Sequence, residues 1–363
     1  MVELADIFRT YGPAYRTKYD QRMPPSHRQA MVAIEARRTE ALGGHLYHCS
    51  GCEEHWYSYH SCRNRHCPKC QQDAGQAWLV QQQSRLLPTS YFLVTFTLSE
   101  PLRRLARSHQ TVLYNLLFRC SATALQQLAL DPRFVGGQIG MVGILQTWTR
   151  DLRYHPHVHY LVTGGGLAAD GKRWLRAENH FFVHVKPLAR LMRAKFRDAL
   201  RKYGLLTQTP TSVWRQDWVV DCRPAGNGET ALKYLAPYVF RVALSNNRIL
   251  KADEDRVTFR YRNGATRRLR ICTLSAERFM HRFLHHVLPK GFVKVRSYGL
   301  LAPGNRARLR QAQALLAPDT SSPCPVKTTD AEGAPTPHTP VCPQCGQPMQ
   351  VVQRIQPKAR CPP

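Results

Sequence analysis

The sequence HPHVHYLVTGGG, residues 155–166, decides the fold that we expect for this chain. Its valine, leucine and threonine residues favour a β-strand, in which side chains alternate between the two faces. His155, His157 and His159 should therefore all point to the same face. Two imidazoles two residues apart on one face can bind a single metal ion, although they can equally be an ordinary polar face.

The segment before these histidines also reads as a strand. Residues 139–148, IGMVGILQTW, are apolar, and the short stretch 150–156 predicts an antiparallel hairpin with the histidine strand. Other patterns predict helices at 26–42, 73–87, 101–130, 187–203 and 229–244, and strands at 91–98, 212–221, 256–262 and 267–273. This interleaving predicts an α+β protein with a central antiparallel sheet that carries helices on its faces.

The charge balance points to a polyanionic partner. The 363 residues include 52 Lys and Arg against 24 Asp and Glu, a net charge of +28. Such an excess repels itself unless a polyanion neutralises it, which favours nucleic acid over an anionic membrane surface. There is no apolar run of about 18 residues and no apolar region near the N-terminus, so we expect no membrane span and no signal peptide. We expect a cytoplasmic protein associated with the nucleoid.

Twelve cysteines without an export signal indicate metal binding or free thiols rather than disulfides. Two CxxC pairs, Cys49 with Cys52 and Cys67 with Cys70, are separated by a spacing that can close a tetrahedral zinc site. Four protein ligands leave no open position, so this zinc would be structural. The alternative is a set of buried free thiols.

Other residues of the same block could share these roles. Cys62 and His66 could replace one of the four ligands or bind a second ion. Arg63, Arg65 and Lys69 lie among the ligands and could contact phosphates of DNA.

The chain changes composition near its end. Residues 302–340 are rich in Pro, Ala, Ser and Thr and predict a flexible linker. A tail follows at 341–363 with the pair Cys342 and Cys345, and Cys324 and Cys361 could complete a second small zinc site with it.

One stretch resembles a nucleotide-binding loop without being one. GLAADGKR, residues 166–173, has Arg173 where Ser or Thr should bind Mg²⁺. Asp170-Gly171 is a favoured hairpin turn pair, so we expect a turn and no ATP site.

A pair of tyrosines complements the histidines. In ETALKYLAPYVFRVAL, residues 229–244, Tyr234 and Tyr238 would lie on one face of a helix, which by itself suits an ordinary packed stripe. Pro237 between them should kink that helix. A tyrosine hydroxyl can attack a phosphodiester that a metal ion polarises, and the resulting phosphotyrosine conserves the bond energy for rejoining.

Together these motifs resemble a known family from about residue 26 to 301. It is the two-tyrosine HUH transposases of rolling-circle insertion sequences, the insertion-sequence-ninety-one type. The motifs that carry the resemblance are GGHLYHCSGC, SCRNRHCPKC, HPHVHYLVTGGGL, YLAPYVFR and HVLPKGFVKVRSYGLL. The resemblance implies a helical zinc-binding module, then an HUH nuclease core with an RRM-like antiparallel sheet and flanking helices. It also implies Mg²⁺- or Mn²⁺-dependent cutting and joining of single-stranded DNA through 5′-phosphotyrosine.

By this resemblance His157 and His159 bind the divalent metal, and Tyr234 and Tyr238 are the nucleophiles. Such sites usually include a third polar ligand. Gln146, on the strand that the predicted hairpin pairs with the histidine strand, is our candidate, and Asp151 and His155 are the alternatives.

Basic residues near these motifs are candidate DNA contacts, with ordinary surface charge as the alternative. They are Lys233, Arg241 and Arg248 around the tyrosines, and Lys294 and Arg296 in GFVKVRSYG.

We therefore expect a DNA-binding zinc module at 1–88, a catalytic domain at 89–301, a linker at 302–340 and a tail at 341–363. The expected partners are single-stranded DNA at element ends and target, with host helicase or replication machinery. Two other functions fit part of the pattern: a rolling-circle replication initiator that nicks an origin, and a non-catalytic zinc-finger DNA-binding protein.

Overall fold

The computed structural model describes residues 2–70, 78, 80, 82–178, 181–230, 232–233, 243–264, 266–317 and 340–358. Its helices are α1 (Leu4–Tyr19), α2 (Pro25–Glu35), α3 (Arg103–Ser108), α4 (Gln110–Ala129), α5 (Val185–Lys202), α6 (Ser212–Arg215), α7 (Ala276–Leu284) and α8 (Arg306–Leu316). Its strands are β1 (Gly44–His48), β2 (His55–Tyr59), β3 (Ser90–Thr97), β4 (Gln138–Trp148), β5 (Tyr154–Leu167), β6 (Trp174–Arg176), β7 (Val220–Asn227), β8 (Ile249–Asp253), β9 (Arg256–Arg262), β10 (Leu269–Ser275), β11 (Val295–Gly299) and β12 (Gln350–Ile355). Seven of the 15 residues of the helix predicted at 73–87, and ten of the 16 of the helix predicted at 229–244, lie outside the described residues.

The main sheet has the strand order β11-β4-β5-β3-β7, with β6 beside the end of β5. All its neighbouring strands run antiparallel, and β4 and β5 form the hairpin that the sequence predicted. Along the chain the order is β3, α4, β4, β5, α5, β7. The predicted α+β class with a central antiparallel sheet is confirmed.

Helices α4 and α5 cover one face of this sheet. Strand alternation directs Phe96 and Tyr160 to that face, where they pack with Leu117 and Phe196 in one buried cluster. Gly143 lies opposite Tyr160, and a Cβ there would stand 2.4 Å from the tyrosine ring. Burial of each large apolar side chain contributes about 1.5–3 kcal/mol, so this face anchors the sheet. The residues of odd number on β5 are therefore left on the opposite face.

A second core joins the N-terminal helices to α7. Phe8 of α1 and Ile34 of α2 pack with Phe279 and Phe283 of α7, and the rings of Phe8 and Phe283 are 5.5 Å apart. Strands β8, β9 and β10 form a separate three-stranded sheet beside this core. The predicted boundary at residue 88 therefore does not separate two hydrophobic cores.

Several sequence predictions were wrong in their boundaries; the helix expected at 26–42, for example, ends at Glu35. The strand expected at 212–221 begins only at Val220, because residues 212–215 form α6, where Val213 is buried and its carbonyl accepts a hydrogen bond from Trp218 Nε1 at 3.1 Å. The linker expected from residue 302 contains α8, since RARLRQAQALL is built from strong helix formers and buries Leu309 and Ala312.

The stretch at 166–173 is the turn that the sequence predicted. The N–H of Ala168 donates to the carbonyl of Arg173 at 2.9 Å, and Gly171 has φ +72°. Within the part of the chain that the structure describes, none of the helices has the length and apolar character needed to cross a membrane.

Candidate active site and cysteine clusters

The face of the sheet opposite α4 and α5 carries the predicted metal ligands. His157 and His159 of β5 lie on this face, and the β4–β5 register sets Gln146 directly opposite His157. His157 Nε2 is 3.0 Å from Gln146 Oε1, and both side chains are buried. The rings of His157 and His159 are 4.7 Å apart and nearly perpendicular. The hairpin thus brings the three candidate ligands together.

The protonation state of His157 leaves the lone pair of its Nε2 directed at Gln146. Burial lowers the pKa of His157 well below its ordinary value, so the ring is neutral and carries one proton. His155 O, a pure acceptor, lies 2.6 Å from Nδ1, which assigns that proton to Nδ1. Nε2 and the amide oxygen then face each other as two acceptors. Two ligands of one octahedral cation at about 2.1 Å also lie about 3.0 Å apart, so this arrangement suits a cation between them.

His159 is held by the neighbouring strand. Its Nδ1 lies 2.8 Å from the hydroxyl of Thr95, which β3 places opposite it. Burial lowers the pKa of His159 to about 4, so this ring is also neutral at physiological pH. Two imidazoles and one amide oxygen form a neutral donor set, which fits a divalent cation that keeps open positions for substrate oxygen atoms.

The two alternative third ligands have other partners. Asp151 forms an ion pair with Arg153 at 2.7 Å and accepts a hydrogen bond from Thr149. His155 Nδ1 accepts a hydrogen bond from Arg103 at 2.8 Å. The geometry therefore favours Gln146 as the third ligand.

These side chains form the floor of a cleft of about 850 Å³, which we call the histidine cleft. Its walls are the β4–β5 turn, the segment 243–248 and the end of β9. The arginines that line it are Arg150, Arg153, Arg248, Arg260 and Arg262. Asp151 is the single carboxylate among its described lining residues. The cleft is consequently suited to a polyanion.

The predicted nucleophiles Tyr234 and Tyr238, together with Arg241, lie outside the described residues. The chain immediately after them does reach the cleft, since Ala243 and Ser245 line it.

The cysteines are grouped differently from the prediction. Cys49 and Cys52 do not share a site with Cys67 and Cys70, as we expected; they lie with Cys342 and Cys345 in a four-cysteine cluster. The reason is that β12 pairs with β1 and carries the C-terminal cysteines to the N-terminal hairpin. Cys324 and Cys361 lie outside the described residues.

The second pair belongs to a three-cysteine cluster of Cys62, Cys67 and Cys70. His66 is not among its members: its Nε2 accepts a hydrogen bond from the backbone N–H of Leu288 at 3.3 Å. Among the described residues no fourth His, Cys, Asp or Glu joins this group. Thiolate clusters of this kind fit structural zinc.

Two of the predicted DNA contacts have partners within the fold. Arg65 donates to the carbonyls of Pro289 and Phe292 at 2.7 and 2.5 Å, and burial lowers its pKa. Arg296 lies over the ring of Phe118, 4.4 Å from its centroid, and donates to Asn115 at 2.6 Å. Both guanidinium groups have partners within the protein, and their assignment to DNA stays a prediction.

The other predicted contacts vary in exposure. Lys294 is half-buried, and burial lowers its pKa to about 8. Lys69 pairs with Glu3 at 2.9 Å and Lys233 with Glu229 at 2.7 Å. Arg63, Lys69 and Lys233 are exposed, and Arg248 lines the histidine cleft.

The sequence reasoning missed several residues of the site. Thr95 could have been found, because the strand at 91–98 was predicted and alternation puts Thr95 on a defined face. Arg150, Arg260 and Arg262 carried no motif, and only the packing of β9 beside the β4–β5 turn reveals them.

Comparison with known proteins finds similarity to transposases. A family model described as "Putative transposase" matches residues 140–309, and one described as "Transposase zinc-binding domain" matches residues 7–98. The "Putative transposase y4qJ" of Sinorhizobium fredii is 40% identical over 351 residues, which is 90% of this chain and 86% of that protein. The "Transposase for insertion sequence element IS801" of Pseudomonas savastanoi pv. phaseolicola is 30% identical over 76% of this chain and 70% of that protein. No solved structure matches.

Proposed function

The chain belongs to the transposase family of the rolling-circle, IS91-type insertion sequences, and from this premise we propose that it cuts and rejoins single-stranded DNA at the histidine cleft. Its substrate as a transposase is DNA. The relatives are transposases, so neither a replication initiator nor a non-catalytic zinc-finger protein is favoured.

The strand order supports an HUH core with an RRM-like sheet in this proposal. Strand, helix, strand, strand, helix, strand is the chain order of the split βαβ folds. The four central strands lie in the order β4-β5-β3-β7. The first and third of them along the chain, β3 and β5, are therefore neighbours in the middle of the sheet. An HUH site needs its two histidines on the open face of such a sheet, and His157 and His159 are on that face.

The observation that carries the proposal is the contact of His157 with Gln146. His157 Nε2 and Gln146 Oε1, one from each strand of a hairpin, are 3.0 Å apart, the separation expected of two ligands of one divalent cation. We propose that His157, His159 and Gln146 hold Mg²⁺ or Mn²⁺. When bound there, the ion would neutralise charge on a non-bridging oxygen of the scissile phosphate.

The reaction is assigned to Tyr234 and Tyr238. The hydroxyl oxygen of one tyrosine attacks phosphorus as its proton leaves, a P–O bond forms, and the bond to the 3′ oxygen breaks to give a free 3′-hydroxyl. The product is a 5′-phosphotyrosine. A 3′-hydroxyl of another strand then attacks the same phosphorus and releases the tyrosine, so no ATP is consumed.

Other parts of the chain position the DNA. The arginines of the histidine cleft would contact the phosphates of the strand, and Arg63 would contact DNA from the zinc-binding module. The stretch at 166–173 is a turn rather than a nucleotide site, so we propose that host helicase or replication machinery exposes the single strands.

Covalent capture tests this function. We would incubate the purified protein with single-stranded element ends and Mn²⁺ and search for an adduct that survives denaturation. We expect mass spectrometry to place it on Tyr234 or Tyr238, and chelation to abolish it. Tyr234→Phe and Tyr238→Phe should each abolish complete transposition, while Tyr203→Phe, at the exposed end of α5, should leave it unchanged. Full transposition by the Tyr234→Phe or the Tyr238→Phe variant would exclude the two-nucleophile scheme.

A further inference from the structure

The four-cysteine cluster joins two distant parts of the chain. The sulfur of Cys49 is 3.4 Å from that of Cys345, and the sulfur of Cys52 is 3.5 Å from that of Cys342. All four sulfur atoms lie within 4.8 Å of one another. These distances are far longer than a disulfide bond of about 2.05 Å. They are close to the edge of a tetrahedron of thiolates around zinc, about 3.8 Å for Zn–S bonds of about 2.3 Å.

The two CxxC turns have the same backbone geometry. The N–H of Cys49 donates to the carbonyl of Glu54 at 3.0 Å, and the N–H of Cys342 donates to Gln347 at 2.8 Å, five residues on in each case. The residue after each second cysteine has positive φ: Glu53 at +56° and Gly346 at +74°. Glycine takes that conformation freely, whereas glutamate does so only when its surroundings hold it there. Two matching turns that face one another form the ligand arrangement of a zinc ribbon.

The surrounding sheet is short of a hydrophobic core. Strands β1, β2 and β12 form a three-stranded sheet on which β2 and β12 are almost wholly exposed. The buried apolar cluster beneath it consists of Cys49, Cys342 and Met349. A sheet with so little apolar burial needs another source of stability, and a structural metal supplies one in small domains.

We propose that Cys49, Cys52, Cys342 and Cys345 bind one structural zinc ion that attaches the C-terminal segment to the N-terminal hairpin. The region matched by the zinc-binding family model, residues 7–98, contains only half of this site. The three-cysteine cluster would then be a second and separate site.

Zinc content measured on the purified full-length protein tests the shared site. The double variant Cys342→Ser/Cys345→Ser should lose one equivalent of zinc per chain, and so should Cys49→Ser/Cys52→Ser. The quadruple variant should also lose only one, because both pairs bind the same ion. Cys272→Ser, a half-buried cysteine outside both clusters, should lose none. A loss of two equivalents in the quadruple variant, or no loss in either double variant, would overturn the proposal.

A second measurement keeps all four cysteines intact. A specific protease site is inserted between residues 320 and 336, and the full-length protein is cut there. The fragment from 337 to 363 should stay with the rest of the chain on gel filtration in zinc and separate from it after chelation. Retention after complete zinc removal would contradict the proposed link. Neither readout involves DNA cutting, so this inference can fail while the proposed function stands, and the reverse.

Discussion

The histidine cleft and the four-cysteine cluster show two ways of assembling ligands. Gln146 and His157 are 11 residues apart and meet because one hairpin sets their register, whereas Cys52 and Cys342 are 290 residues apart. The cleft holds three neutral candidate ligands beside a basic surface. The cluster surrounds its centre with four sulfur atoms. An open set suits catalysis and a closed one suits structure, so the two regions should respond differently to the same kind of substitution.

The largest expected effect is on the cleft. The double variant His157→Ala/His159→Ala should lower adduct formation at least about 10³-fold, because metal stabilisation of charge on a phosphate is worth several kcal/mol. Single-strand binding should change little, since the arginines of the cleft remain, and the zinc content should be that of the parent protein. Adduct yield, DNA affinity and zinc are measured on the same preparation. His184→Ala, an exposed histidine at the start of α5, is the control.

Undiminished adduct formation by this double variant would show that the histidines are only a polar face. A loss of zinc alongside activity would show instead that the cleft and the cluster are not independent.

A smaller effect is expected at the third ligand. Gln146→Ala should raise the Mn²⁺ concentration needed for half-maximal adduct formation by about 10–100-fold. Mutating a residue that orients a metal site usually lowers metal affinity by this factor. Gln146→Glu should need no more Mn²⁺ than the parent protein, because hard cations prefer carboxylate oxygen. Gln138→Ala removes an amide from the same strand, away from the cleft, and should leave the Mn²⁺ requirement unchanged.

If the Gln146→Ala variant needs the same Mn²⁺ concentration as the parent protein, the contact of Gln146 with His157 is an ordinary buried hydrogen bond. Asp151 would then have to be tested in the same way, despite its ion pair with Arg153.

The same contrast explains what the sequence could predict. The β4–β5 hairpin, the shared face of the histidines and the approach of Gln146 to His157 all follow from local period and a short turn, so they were found without the structure. The α+β class followed from the order of such local segments.

The cysteine partners could not be found in this way. The spacing of a CxxC pair predicts that it binds metal together with a second pair. Which pair this is depends on the pairing of β1 with β12. Two segments far apart in sequence can pair in this way, because the entropic cost of closing a loop grows only slowly with its length. The packing of Arg296 could not be predicted for a related reason. A basic residue looks alike in sequence whether it faces DNA or lies over Phe118.

The smallest expected effect is on the salt dependence of DNA binding, which should differ between the surfaces of the two regions. Arg262 is exposed and lines the histidine cleft, while Arg354 is exposed on β12 beside the four-cysteine cluster. Each phosphate contact on a single strand contributes about 0.7 to the slope of log affinity against log salt. Arg262→Gln should therefore reduce the slope for single-stranded DNA by about 0.7, and Arg354→Gln should not change it. Equal reductions would mean that DNA also covers the cysteine sheet, and the division of the molecule into a catalytic cleft and a purely structural zinc site would have to be abandoned.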